Sequence, residues 1–258
     1  MKQEETGSDT KFQTGGVLII SLAHFIHDIY TSFLAPLLPF IIEKLSLSLT
    51  QAGFLTTVMQ LPALLNPYIG KLADRISVRY FVILAPVMTC VPMSLMGLAP
   101  SYGVLLLLLF IAGISVSMFH VPAPVMVYKL SGSQAGKGMS FFMTGGELAR
   151  TLGPIFIIAV VSWLGFSGYY PVMIVGMAVS LWMYFKFKDI PIRMNSEKKP
   201  SIRRTWKDLR HIFMPLTAIL VSRGFMHAAA SAFLPIYIAE KTGNLWLAGI
   251  SLSIMEAA

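Results

Sequence analysis

The chain has 258 residues, of which 55% are hydrophobic and only 12% charged, with a mean hydropathy of +0.71. That charge content is about half that of soluble domains and excludes an ordinary water-soluble fold. The net charge of +8 and the single cysteine, Cys90, leave nucleic-acid binding to be weighed and rule out a disulfide within the chain.

The N-terminus, MKQEETGSDTKFQTGG, is polar and partly acidic. A cleaved signal peptide starts basic and ends at a small-residue site, so the first apolar run is expected to stay as an uncleaved span. A helix needs roughly 20 apolar residues to cross the hydrocarbon core. Runs of that kind lie at about 16–42, 52–70, 80–98, 103–127, 138–163 and 170–187. A polar basic stretch follows over 188–211, then a seventh run at about 212–239 and an eighth from Leu245. The fold class expected is an all-α integral membrane protein. Its domains are a six-span bundle over 1–187, a linker over 188–211 and the start of a second bundle over 212–258. The eighth run supplies about 21 Å of helix at 1.5 Å per residue, short of the roughly 30 Å core. The chain is therefore expected to stop within span 8 of a longer, twelve-span protein.

Sixteen of the 20 Lys and Arg fall on one side of these spans, against Lys44 and Lys241 on the other. Such an excess marks the cytoplasmic face, so the N-terminus is expected inside. The basic 188–211 stretch then reads as a topology determinant near anionic headgroups, and no nucleic-acid partner is expected. Span 1 ends FLAPLLPFIIEKLSLSLTQAG and span 7 ends FLPIYIAEKTGNLWLAG. Pro39 to Gly53 and Pro235 to Gly249 are equally spaced, and Ala52-Gly53 matches Ala248-Gly249. Convergence of two outer loops is the plainer account. A duplication with a period of 196 residues explains more, and such repeats are common in transporters.

The chemistry-bearing residues sit inside the apolar runs. Span 1 contains HFIHD, with His24 and Asp28 on one helix face and His27 turned away. By helical rise Asp28 lies about 18 Å into its span, near the midplane. A charged side chain there costs about 2.5–3.5 kcal/mol on insertion scales, so it faces a wet cavity or a partner. A neutral Asp or His bridging two helices would serve packing alone. Span 5 contains GGELARTLGP, in which Glu147 and Arg150 can pair at i,i+3. A self-neutralised structural pair is the competing reading. In span 7, Arg223 has no acid on its own helix and His227 follows one turn later. Asp28 or a bound anion is the expected partner of Arg223. His120, beside Pro122 and Pro124 in span 4, falls where missing amide donors break a helix, which is tolerated at membrane depth beside a cavity.

The loop between spans 2 and 3 reads GKLADRISVRYF. It resembles the G-x-L-a-D-r-x-G-r-r/k loop of the major facilitator superfamily, matched by Gly70, Leu72, Ala73, Asp74, Arg75 and Arg79, with Ser77 in place of the second glycine. Gly145, Gly146, Gly153 and Pro154 resemble the family's Gly-rich span 5 motif, in which small residues and Pro bend the helix. FHVPAP, GGELARTLGP and LAHFIHDIYTSFLAPLLPFI are similar to the fosmidomycin-resistance branch of drug efflux transporters.

The resemblance implies a twelve-span secondary transporter with a midplane cavity, a gating loop at Gly70–Arg79, and proton-coupled efflux of small molecules. Asp28 is the first choice for the proton carrier and Glu147 the second. The implied partners are a small-molecule substrate, protons and the bilayer. No cofactor or metal is expected, and the full-length protein is expected to be monomeric in a prokaryotic plasma (inner) membrane. A proton symporter importing a nutrient or metabolite competes with efflux. From another class, a membrane enzyme or haem-binding electron carrier would use His24, His27, His120 and His227.

Overall fold

The computed structural model describes residues 11–75, 78–188 and 202–257, with side chains described outside 73–78 and 202–209. All regular structure among these residues is helical. Five stretches are long and apolar enough to cross a membrane: Thr14–Leu45, Arg79–Leu98, Tyr102–Leu164, Tyr170–Phe187 and Arg210–Thr242. The third is 63 residues long and folds back at Gly132–Gln134, so it holds spans 4 and 5.

Span 1 is two helices, α1 (Thr14–Thr31) and α2 (Leu34–Leu45). The break follows Asp28 directly. There the Thr31 hydroxyl donates to the Asp28 carbonyl at 2.9 Å, and Ser32 Oγ donates to the Ile29 carbonyl at 2.7 Å. Hydroxyls bonding back onto the preceding turn compete with the helical ladder and bend it. Pro36 and Pro39, which lack amide protons, then weaken the start of α2.

Span 2 is also divided. Helix α3 (Leu49–Gln60) opens on a capping box between Ser48 and Gln51. A tight turn at Leu61–Leu65, containing Pro62, leads into α4 (Asn66–Arg75). The sequence reading of one apolar run over 52–70 missed this break. Here Gly113 on α6 (Tyr102–His120) packs where a β-carbon would overlap the Met59 carbonyl and Pro62. Helix α5 (Val78–Leu95) precedes α6 and carries Pro86 and Pro92. Span 4 breaks after His120 and resumes as α7 (Ala123–Ser131), as its Pro pair predicts.

Span 5 is one helix, α8 (Ala135–Leu164), running through Pro154. Span 6 is α9 (Met173–Phe187). Helix α10 (Ile202–Thr242) begins ten residues before the seventh run read from sequence, so the end of the expected 188–211 linker is helical. Arg, Lys and Leu there are good helix formers, and the start lies two residues beyond Pro200. Helix α11 (Leu245–Ala257) is capped by Asn244, whose Oδ1 accepts from the Trp246 and Leu247 amides.

Helix α1 lies against α8, α5, α7 and α9. Its buried residues include Val17, Ile20, Ala23, His24, His27 and Asp28, the 3–4 spacing of one helix face. Two apolar clusters share it. Val17, Ile20 and Ala23 join Phe119, Met126 and Phe142 in one. Tyr30, Phe33 and Leu37 join Met93, Leu109 and Ile157 in the other. His24, His27 and Asp28 form a polar layer between them.

Candidate functional site

At that layer Asp28, 5% exposed, meets three imidazoles. His27 Nδ1 lies 3.0 Å and His120 Nε2 3.1 Å from its Oδ1. His24 Nε2 lies 3.2 Å from its Oδ2. The His24 contact follows from the i,i+4 spacing. His120 arrives from the end of α6, where the break at Pro122 halts the helix beside α1. The rings are wedged among aromatics: His24 stacks on Phe142 with centroids 4.0 Å apart, and His27 stacks on Phe119 at 4.5 Å.

The acceptors fix where protons sit. His24 Nδ1 is 2.7 Å from the Phe142 carbonyl. A carbonyl only accepts, so Nδ1 carries the hydrogen. Nε2 is then the ring nitrogen on the Asp28 side. It lies close to Asp28 Oδ2, but is buried and makes no hydrogen bond. The contact is close without hydrogen-bond geometry, unlike those of His27 and His120.

Behind Asp28, fully buried His27 continues into a chain of hydroxyls. Its Nε2 is 2.9 Å from Thr89 Oγ1, which is 2.6 Å from Ser115 Oγ. Ser115 in turn lies 2.7 Å from the Ala85 carbonyl. Sequence reading passed over Thr89 and Ser115, because a lone hydroxyl in an apolar run carries no local signal.

In front of Asp28 lies a cavity of about 880 Å³, lined by His24, Asp28, His120, Arg150, His227 and Glu256 among others. On its far wall Glu256 Oε1 accepts from Ser231 Oγ at 2.9 Å and lies 3.4 Å from His227 Nε2. Glu256 was missed by the sequence reading; an acid within SLSIMEAA was the available signal.

The other expected residues fall as follows. Arg150 reaches the cavity and pairs with Glu147, which itself lies in a neighbouring shallow groove with Thr144 and Ala257. Arg223 is exposed and outside the cavity lining, so the expected contact with Asp28 is not made. The imidazoles occupy that carboxylate instead. Gly145 and Gly146 let α8 approach α1: a β-carbon on Gly146 would sit 2.5 Å from His24 Cε1, and one on Gly145 would sit 2.5 Å from the Ser21 carbonyl. Gly153 similarly faces Ser32. In the loop motif, Gly70 faces Val121, Leu72 is exposed, and Arg79 donates to Tyr80 Oη at 3.1 Å. The side chains of Asp74 and Arg75 lie outside the described residues. Ligand atoms of His24, Asp28 and His120 lie within 4.8 Å of one another, a span that one cation could bridge. Their closest contacts are equally the lengths of hydrogen bonds.

The Major Facilitator Superfamily model matches residues 20–258. The chain belongs to that superfamily. It is 25% identical over 250 residues to the fosmidomycin resistance protein of Escherichia coli K12, covering 92% of this chain and 60% of that relative. It is 24% identical over 173 residues to the MFS-type transporter YfnC of Bacillus subtilis 168, covering 65% of this chain and 42% of the relative. Among solved structures, an inward-facing bacterial homologue of the human lysosomal transporter Spinster aligns with a TM-score of 0.77 at 19% identity, over 95% of this chain and 60% of that one. The D-xylose–proton symporter aligns with a TM-score of 0.66 at 14% identity, over 95% of this chain and 66% of that one. At these identities the structures establish the fold. The chain spans 60% of the length of the E. coli relative. Within this fold three of the histidines surround one carboxylate.

Proposed function

We propose that the protein is a secondary transporter that exports small molecules across a prokaryotic plasma (inner) membrane in exchange for protons, with Asp28 as the proton carrier. The observation that carries this reading is a buried carboxylate, Asp28, held against three imidazoles on the wall of a cavity. When the imidazoles are neutral, loading one proton takes the cluster from one negative charge to none, which lowers the cost of moving it through low dielectric. An alternating-access cycle needs such a change, because loaded and empty states must differ in their ease of reorientation. The name of the E. coli relative supports export of toxic compounds over import of nutrients. On this reading residues 1–187 form one half of the transporter, 188–211 the connection and 212–258 the start of the second half. The full-length protein works as a monomer, with Gly70–Arg79 gating its cytoplasmic side.

Asp28→Asn keeps the shape and removes the titration. In proteoliposomes of the full-length protein it is expected to abolish uphill transport driven by a pH gradient while leaving substrate exchange measurable. Substrates for the assay come from a growth-inhibition screen over toxic compounds. Concentrative transport by Asp28→Asn at the wild-type rate would place the proton site elsewhere, with Glu147 next to test.

The same reading puts the N-terminus in the cytoplasm. In a Cys90→Ser background, a cysteine at Ser46 is expected to react with an impermeant maleimide in whole cells, and one at Ser133 to resist it. Labelling at Ser133 from outside reverses the orientation.

A further inference from the structure

Asp28 offers a ligand little access, since imidazoles crowd both of its oxygens. A carboxylate offers about four lone-pair positions. Its Oδ1 serves His27 and His120, and its Oδ2 faces His24 at 3.2 Å. Glu256 differs. The described residues give it the Ser231 hydroxyl at 2.9 Å and His227 Nε2 at 3.4 Å, longer than an ordinary N–H to oxygen bond. Its side chain is 11% exposed and that of His227 51%, both on the cavity. Glu256 therefore faces that space with lone pairs unfilled.

The charges on the wall point the same way. The cavity is lined by two carboxylates, Asp28 and Glu256, and one guanidinium, Arg150, which already pairs with Glu147. The remaining ionisable side chains on it are the imidazoles of His24, His120 and His227. With neutral imidazoles the balance is negative, and a concave, partly apolar site concentrates that field. Met59, Met143 and Phe142 add adaptable apolar surface, and about 880 Å³ matches the pockets that hold drug-sized molecules.

We propose that Glu256, with His227 beside it, binds an organic cation carrying N–H donors, so that substrate and proton are held on opposite walls of one cavity. This rests on reading the cavity as the transport path. Glu256 accepts the N–H donors and supplies the counter-charge, and the thioethers and Phe142 cover the apolar body.

The test uses the purified full-length transporter and two fluorescent probes, the aminated cation ethidium and the anion fluorescein. Ethidium is expected to bind saturably, and Glu256→Gln to weaken it about tenfold, the loss of one charge-assisted hydrogen bond. Glu256→Asp, which keeps the charge, is expected to stay within about threefold. Fluorescein binding is not expected to weaken in Glu256→Gln. Ethidium binding of wild-type strength in Glu256→Gln overturns the proposal, as does wild-type protein that binds fluorescein and not ethidium, or neither. Failure of the proton reading shows separately, as concentrative transport retained by Asp28→Asn with the ethidium result unchanged.

Discussion

Span 1 and span 7 present the same register to one cavity. Asp28, Thr31, Ser32 and Ala35 line it from the first, and Gly224, His227, Ala228 and Ser231 from the seventh, each 196 positions later. Span 2 contributes Gln60 and span 8 contributes Glu256 at the same offset. This is the period read from the Pro39–Gly53 and Pro235–Gly249 loops, so the duplication reaches into the site. The surroundings differ. Span 1 is packed on several sides, while residues 210–230 of α10 are exposed. The acidic residue also changes place, from Asp28 on the first wall to Glu256, the counterpart of Gln60, on the second. Repetition has conserved which positions face the cavity and let the chemistry there diverge.

The largest expected effect tests whether position or surroundings make a proton site. Asp28→Asn combined with Gly224→Asp moves the carboxylate to the repeat-related position. Among the described residues nothing lies within 4 Å of a β-carbon at Gly224, which leaves room for the new aspartate. Leu220 and Arg223 stand where His24 and His27 would, so two imidazoles of the cage have no counterpart there. The double variant is therefore expected to remain at the background of Asp28→Asn in pH-driven transport. Recovery of uphill transport would show that register alone suffices and that the imidazoles are dispensable.

Much of this was legible in the sequence because apolar length and the i,i+4 rule act locally. The spans follow from run length, and the His24–Asp28 contact from spacing. The break in span 2 was missed because hydropathy is blind to what Pro62 does between Gln60 and Asn66. The cage around Asp28 was half read: His120 was assigned a cavity position, but its partner lies 92 residues away and only the packing of α6 on α5, and of α5 on α1, brings them together. Arg223 was read as the counter-charge because it was the unpaired cation at matching depth. Adjacent helical residues point about 100° apart, and it is Gly224 that takes the cavity position.

A smaller effect sharpens the contrast in packing. Gly146→Ala places a methyl 2.5 Å from His24 Cε1. The ring cannot yield freely, since it stacks on Phe142 and bonds its carbonyl. Overpacking of this kind costs about 1–3 kcal/mol, and part of the strain falls on the His24–Asp28 contact. Thermal unfolding can be followed with a fluorogenic maleimide in protein whose one thiol is Cys90, which is buried in the folded bundle. The variant is expected to expose Cys90 at lower temperature and to transport more slowly. An unchanged unfolding temperature would mean that α8 shifts away from α1 at little cost.

The smallest effect belongs to the opposite wall. Gly224→Ala adds the same methyl to the residue equivalent to Asp28, where nothing among the described residues lies within 4 Å. Replacing Gly by Ala inside a helix is worth up to about 1 kcal/mol in favour of the helix. With no clash to offset it, the gain should appear as an unchanged or slightly raised unfolding temperature in the Cys90 assay. The full-length protein is the informative host, since residues beyond those described can cover α10. Destabilisation there comparable to that of Gly146→Ala would mean that a further helix packs on Gly224 as closely as α8 packs on α1. The two walls would then be alike in packing and different only in the carboxylates they carry.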